Sequence, residues 1–271
     1  MTRGSIVRPG IGNGTMATYK NQSLERGFQI LEYLGDSTKG RAVSEVARAT
    51  GLHRATAHRL LEVLCGMGYA YKAEDRRYWI GYNAQLFGNR SNMVARITHH
   101  AHPFLVTPAH EVDETVALGF LEGIQVFIAD RVSTDRAHRS AVQIGTYFDA
   151  HSTSLGKALL SVRPINEVRA SYKNTRLSAY TGKTITDVDS LLRDLSKIKK
   201  RGYSISDEEG SPGIRSVSAP VLNLDGRAAC SLAVSGPRAR LDDSKIERVG
   251  VRLQNVASEI VVQVVKQGGE T

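Results

Sequence analysis

The stretch from Val43 to Ala70 (VSEVARATGLHRATAHRLLEVLCGMGYA) reads as two short helices hinged on a glycine, and it constrains the fold more than any other part of the chain. Ser44, a residue type that caps helices well, is expected to open the first helix, whose Val46, Ala47 and Thr50 keep one face apolar or small. Gly51 supplies the left-handed residue that turns the chain, and Leu52 packs inward as the second helix begins near His53. His53 caps less well than Ser, Thr or Asp, so that start is open by a residue or two. In the second helix Ala57, Leu60, Leu61 and Leu64 recur at helical spacing and form one core-facing stripe. Arg54, Ala55, Thr56, His58, Arg59 and Glu62 take the first turns or the opposite face. Small and basic groups there let a helix enter a major groove about 12 Å wide. Whether each Arg meets a guanine edge or a phosphate, and each Thr a phosphate or a thymine methyl, stays open.

Three neighbouring signals agree with this reading. Tyr69 to Gly81 (YAYKAEDRRYWIG) has two short apolar and aromatic runs around a polar tip, a β-hairpin whose Arg76 and Arg77 would meet phosphate or the minor groove. Upstream, Ser23 to Gly35 places Leu24, Phe28, Leu31 and Leu34 at helical spacing with Ser23 as cap, the third helix needed to close a small core. Charge follows the same division: residues 1–90 hold 13 Lys and Arg against 7 Asp and Glu, a net +6, while residues 91–271 hold 23 against 20, a net +3. Attraction to phosphate requires that asymmetry. The competing reading, a merely solvated helix face, explains none of this agreement.

A chain of 271 residues suggests about two domains. No run approaches the roughly 18 apolar residues of a membrane span, and residues 1–18 lack a signal-peptide apolar core, so a cytoplasmic protein with no membrane partner is expected. Cys65 and Cys230 share no metal-ligand spacing and are read as reduced and buried.

Residues 80–97, with Leu86, Met93 and Ile97, read as a linker helix, and His99 to Val112 as helical despite Pro103 and Pro108. From Val116 the texture turns to strand: VALGFLEG and QVFIADRV form a hairpin, with later strands at Tyr203–Ser206, Ser216–Leu222 and Ala228–Val234. Helices are expected at Ser154–Ser161, Asp187–Arg201 and Asp242–Lys266, the last with Ile246, Val249, Leu253, Val256, Ile260 and Val264 as its apolar stripe. The class is α+β with a central sheet.

Three blocks, together with the winged helix, carry a resemblance. They are Glu114–Val132 (ETVALGFLEGIQVFIADRV), Ala150–Ser161 (AHSTSLGKALLS) and Arg201–Pro237, which runs from Gly-Tyr through an acidic patch, Gly-Ile-Arg and Ala-Pro-Val to Ser-Gly-Pro. Along nearly its whole length the chain resembles the IclR family of bacterial transcriptional regulators. The resemblance implies an N-terminal winged helix-turn-helix (residues 19–83) after a flexible tail (1–18), a linker helix (84–98) and a C-terminal GAF-like, profilin-like effector-binding domain (99–267). It also implies a homodimer or homotetramer on double-stranded operator DNA, repressing or activating genes for the catabolism of small carboxylates or aromatic acids, with no cofactor.

Carried over by motif, the resemblance places the effector beside Ser154, Leu155, Ser206, Ser216, Ala233 and Ser235. Ser206 stands where the family often has an acid, and Ala233 where it can have Ser, so a larger or less polar effector than a two-carbon acid is implied. Independently of the family, free backbone N–H groups at a helix start with hydroxyls alongside make a carboxylate site. Each serine also has a structural reading: Ser154 as a cap, Ser216 within a strand, Ser235 in a turn. Arg215 suits a carboxylate, or else holds the acidic patch Asp207, Glu208 and Glu209, which we favour.

Two other function classes compete with this reading. An enzyme acting on a small carboxylic acid lacks its machinery: His99, His100 and His102 have no Cys or carboxylate partners at ligand spacing, Cys230 sits among apolar neighbours, and His151 has no visible nucleophile partner. Gly156-Lys157-Ala158 lacks the glycine and hydroxyl of a phosphate loop. A protein-docking module built on the winged helix is the other alternative.

Overall fold

The computed structural model describes residues 21–37, 39–89, 93–134, 142–223 and 225–268; the tail expected at 1–18 lies outside them. Backbone contacts divide the chain into two compact units, one ending at residue 92 and the other running on from Met93.

The first unit holds α1 (Gln22–Gly35), α2 (Val43–Thr50), α3 (Arg54–Gly66), the hairpin β1 (Ala70–Lys72) and β2 (Tyr78–Ile80), and α4 (Tyr82–Asn89). Its core is Ile30, Leu34, Val46, Ala57, Leu61 and Tyr78, with Leu60 and Leu64 packed alongside. The hinge has the expected form. Gly51 takes a φ of 67°, and the Leu52 N–H donates to the Ala47 carbonyl at 2.9 Å.

Three local expectations change. α1 is capped by Asn21, whose Oδ1 accepts from the Leu24 N–H, and not by Ser23. Its inward positions are Ile30 and Leu34, and Leu24 and Phe28 are 59% and 54% exposed. α2 begins before Ser44: the N-cap is Ala42, whose N–H is taken by Glu45 Oε2 at 2.6 Å. A carboxylate one turn inside the helix thus satisfies the backbone that the Ser44 hydroxyl was expected to serve. That backbone bond, the largest of its causes, holds the Glu45 carboxyl below the usual range.

The second unit is a six-stranded antiparallel sheet between helical layers. Its strands are β3 (Thr115–Glu122), β4 (Gln125–Val132), β5 (Tyr147–Asp149), β6 (Ser204–Asp207), β7 (Ile214–Leu222) and β8 (Ala228–Pro237), in the order β5-β4-β3-β8-β7-β6. Its helices are α5 (Met93–Val112), α6 (Ser154–Ser161), α7 (Ile165–Ser171), α8 (Val188–Arg201) and α9 (Asp243–Gly268).

α5 and α9 cover one face. Ile97, Ala101, Leu105 and Ala109 on α5 meet Leu253, Val256 and Ile260 on α9 over Val116, Leu118 and Leu232. This apolar repeat carries α5 through Pro103 and Pro108, each of which removes one backbone donor. The other face is covered by α6, α7 and α8 through Leu159, Val168, Leu191 and Leu195. The segment read as one linker helix, residues 80–97, holds all of α4 and the start of a second helix, α5, where Met93 is exposed and Ile97 buried. Of the stripe on the final helix, Ile246 through Ile260 are buried, and the Val264 side chain lies outside the description. β5, α7 and a 3-10 turn at Ala150–Ser152 are additions to the expected elements.

Candidate functional site

In the first unit, the side of α3 away from its core presents Arg54, Ala55, His58 and Arg59 to solvent, with Thr56 half-buried. His53 caps the helix, its Nδ1 accepting from the Ala55 N–H at 3.4 Å. Ser44 is exposed on α2. Glu62, one turn beyond His58, accepts the Tyr78 hydroxyl at 2.9 Å and lies 3.6 Å from His58 Nε2. Burial, with the Glu62 bond next, pushes the Tyr78 hydroxyl up to about 12, so this donor keeps its proton and pins α3 to the hairpin.

The two hairpin arginines differ. Arg76 is exposed at the tip, with a φ of 61°. Arg77 turns back, donating to the Gly40 carbonyl at 2.6 Å and to Glu45 Oε2 at 3.2 Å.

In the second unit, a cavity of about 1010 Å³ opens between α6 and the sheet. Strand alternation builds its floor: Ser206, Ser216, Ser235 and Thr115 stand opposite one another on β6, β7, β8 and β3, a row of four hydroxyl residues crossing the sheet. All four line the cavity, as do Ala233 and Ala117, paired with each other two residues further along. Thr115 was missed by sequence reasoning, because a cross-strand row needs the register.

The start of α6 forms the roof. The Ser204 hydroxyl donates to the Ser154 carbonyl at 2.6 Å, Ser231 to that of Leu155 at 3.2 Å, and Ser206 to that of Ser152 at 3.2 Å. Gly156 completes the seat, since a Cβ there would lie 2.3 Å from the Ala150 Cα. Thr153, and not Ser154, is the cap, accepting from the Gly156 N–H at 3.1 Å. The first-turn amides of Ser154 and Leu155, which a helix cannot satisfy itself, border the cavity beside the serine row.

Lys157, one residue further on, is structural. Its ammonium is buried between Glu209 Oε1 at 2.6 Å and Asp194 Oδ2 at 2.9 Å. Glu209 belongs to the loop that carries Gly210, Ser211 and Pro212 to the cavity rim. Burial raises the Glu209 carboxyl against the pull of Lys157. Glu208 beside it is gripped by Lys183 at 2.7 Å, the Gly213 N–H at 2.9 Å and Arg238 at 2.9 Å. Lys183 first, then Gly213, holds the Glu208 carboxyl down at about 2.

Arg215 alternates to the opposite face of β7 from Ser216. It pairs with Asp243 at 2.7 Å and, of the acidic patch, reaches only Asp207 at 3.5 Å. Glu208 and Glu209 are held by the other cations.

Away from the serine row, Asp149 Oδ1 takes the Gln125 amide at 3.2 Å and Oδ2 takes the Tyr180 hydroxyl at 2.8 Å. His151 stacks on Tyr180, meets Tyr172 edge-on, and donates from Nε2 to the Ser178 carbonyl at 3.0 Å. All of these line the same cavity. The buried carboxylate of Glu114, also in the wall, is chelated by Arg240 through Nε and, at 2.8 Å, Nη2.

His102 pairs with Asp130 at 2.7 Å, and no cluster able to hold a metal occurs among the described residues. Burial pushes the Cys230 thiol up to about 12, which makes it inert. No described helix is long and apolar enough to cross a membrane.

Family models match twice: the IclR helix-turn-helix domain over residues 23–74, and the bacterial transcriptional regulator IclR C-terminal domain over residues 91–262. The HTH-type transcriptional regulator BhcR of Paracoccus denitrificans is 30% identical over 88% of this chain and 86% of its own. The Thermotoga maritima IclR crystal structure superposes with a TM-score of 0.76 at 29% identity, covering 89% of this chain and 98% of that one. An IclR homolog from Microbacterium hydrocarbonoxydans, complexed with 4-hydroxybenzoate, shares the fold with a TM-score of 0.78 at 20% identity, over 90% and 99% of the two chains.

Proposed function

The chain belongs to the IclR family of bacterial transcriptional regulators, and we propose that it switches a small-molecule catabolic operon, as repressor or activator, in answer to a small organic or aromatic acid. It is a ligand-responsive, DNA-binding regulator and not an enzyme.

The observation that carries the sensor half is convergence: Ser154, Leu155, Ser206, Ser216, Ala233 and Ser235 border one cavity. The first-turn amides of α6 and the Ser216 and Ser235 hydroxyls can donate there, which suits a carboxylate, while the Ser206 hydroxyl already gives its hydrogen to the Ser152 carbonyl. A volume of about 1010 Å³ admits far more than a two-carbon acid, in keeping with the aromatic ligand of the Microbacterium homolog.

The DNA half rests on Arg54, Ala55, Thr56, His58 and Arg59 along the open side of α3, with Arg76 at the hairpin tip and Ser44 on α2. Arg77 serves this surface by bracing the hairpin against Glu45. The protein acts in the cytoplasm as a homodimer or homotetramer, since one recognition helix reads only half of a two-fold operator. The exposed Leu24 and Phe28 on α1 give such an assembly apolar surface to bury.

Regulation follows from linkage: an acid that binds the DNA-competent and DNA-incompetent arrangements unequally changes operator affinity by that ratio. A gel-shift on the intergenic DNA upstream of its own gene, with and without candidate acids, tests this. Specific, salt-sensitive binding that an acid alters supports the reading, and acid-insensitive or absent binding refutes it.

A further inference from the structure

The cavity has two polar ends. One end is the serine row beside the start of α6, and the other is a second polar cluster around Asp149. Two groups at that second end lack partners among the described residues although their side chains are more than nine-tenths buried: the Tyr172 hydroxyl, on a residue 2% exposed, and Gln125 Oε1, on a residue 9% exposed.

The orientation of Gln125 is fixed by chemistry. Asp149 Oδ1 only accepts, so the amide nitrogen must face it, and the carbonyl oxygen is left as a pure acceptor. Tyr172 keeps its proton, because burial and then the Asp149 charge raise it well above the usual phenol range. Tyr172 therefore has a hydrogen to give, and Gln125 has a lone pair that needs one. Both stand by the same carboxylate, and both line the cavity.

A hydroxyl group is able to serve both, accepting from a donor such as Tyr172 and donating to an acceptor such as Gln125. A carboxylate, an ether oxygen or a bare C–H cannot donate, and an ammonium cannot accept. His151 and Tyr180, stacked beside this point, give a ring or chain carrying that hydroxyl flat surfaces to lie against.

We propose that the effector carries, besides its carboxylate, a hydroxyl at the opposite end, held between Tyr172 and Gln125. The inference rests on the acid-effector reading above and narrows it to hydroxy acids, against unsubstituted acids and dicarboxylates.

The test is calorimetric titration of the full chain with benzoate, 3- and 4-hydroxybenzoate and their methyl ethers, and with propionate and 3-hydroxypropionate. At least one hydroxy acid is expected to bind about tenfold or more tightly than both its unsubstituted parent and, in the aromatic series, its ether. In Tyr172→Phe that ratio should fall toward one. A ratio measured between two acids on one variant cancels any general loss of folded protein. Acids that bind with no preference for the hydroxyl, or a preference that survives in Tyr172→Phe, would overturn the proposal and leave the acid-effector reading standing. Failure of every acid to bind would overturn both.

Discussion

Lys157 and Glu209 meet with 2.6 Å between Nζ and Oε1, both side chains at least nine-tenths buried, and so fasten the α6 helix to the loop at the cavity rim. The Gly-Lys-Ala block therefore works through a buried ion pair, and its lysine is not part of the cavity lining. Removing one partner strands a charge inside the protein. Lys157→Met should cost about 3–5 kcal/mol in urea unfolding, and adding Glu209→Met should recover part of that loss.

Arg76 and Arg77, adjacent in sequence, should separate in experiment. Arg76→Ala, at the open tip, should weaken DNA binding and leave stability within about 0.5 kcal/mol. Arg77→Ala removes the bonds to Gly40 and Glu45 and should lower stability by about 1 kcal/mol. Thermal melts beside gel-shifts on the same variants decide it; equal behaviour of the two would contradict the structure.

On α3, Arg54→Ala and Arg59→Ala should each weaken operator binding by about 1–3 kcal/mol. An arginine that meets phosphate will also reduce the salt slope by about 1, whereas one that reads a base will relax sequence preference and leave that slope nearly unchanged. Titrations at several salt concentrations distinguish the two roles left open by sequence. Unchanged binding in both variants would remove α3 from the interface.

Much of this surface was legible in advance because its signals are local. Gly51 and the Ala57, Leu61 spacing specify the hinge and the buried stripe whatever packs around them, which leaves Arg54 and Arg59 outside. The cavity serines were legible through motif, and strand alternation then sends Ser216 inward and Arg215 to the other face. What escaped depends on partners distant in sequence. Thr115 joins the row only through the β3–β8 register, and the Asp149, Tyr180 and His151 cluster sits on a three-residue strand, a 3-10 turn and an irregular segment with no periodicity to read. The cap at Ala42 escaped because its acceptor, Glu45, lies inside the helix.

Acid should loosen the cavity rim before it unfolds the core. Glu208 titrates at about 2 in the folded protein against an ordinary 4.5, so its grip on Lys183, Gly213 and Arg238 contributes stability that is full above about 4.5 and is lost as pH falls toward 2. The protection of the Gly213 amide relative to an unstructured peptide at the same pH should fall across that window, and Glu208→Gln should show the lower protection already at neutral pH. A Gly213 amide equally protected in wild type and variant would show that Glu208 does not hold the loop.

The most direct measurement of the coupling between cavity and DNA is fluorescence anisotropy of labelled operator, titrated with the full chain at increasing concentrations of a bound acid. In wild type the acid should shift operator affinity by about 5- to 150-fold, in either direction. Ser216→Leu, which fills the serine row, should bind operator as wild type does and ignore the acid. A variant that responds as fully as wild type, or a wild type whose operator affinity no bound acid moves, would contradict the assignment of this cavity as the sensor.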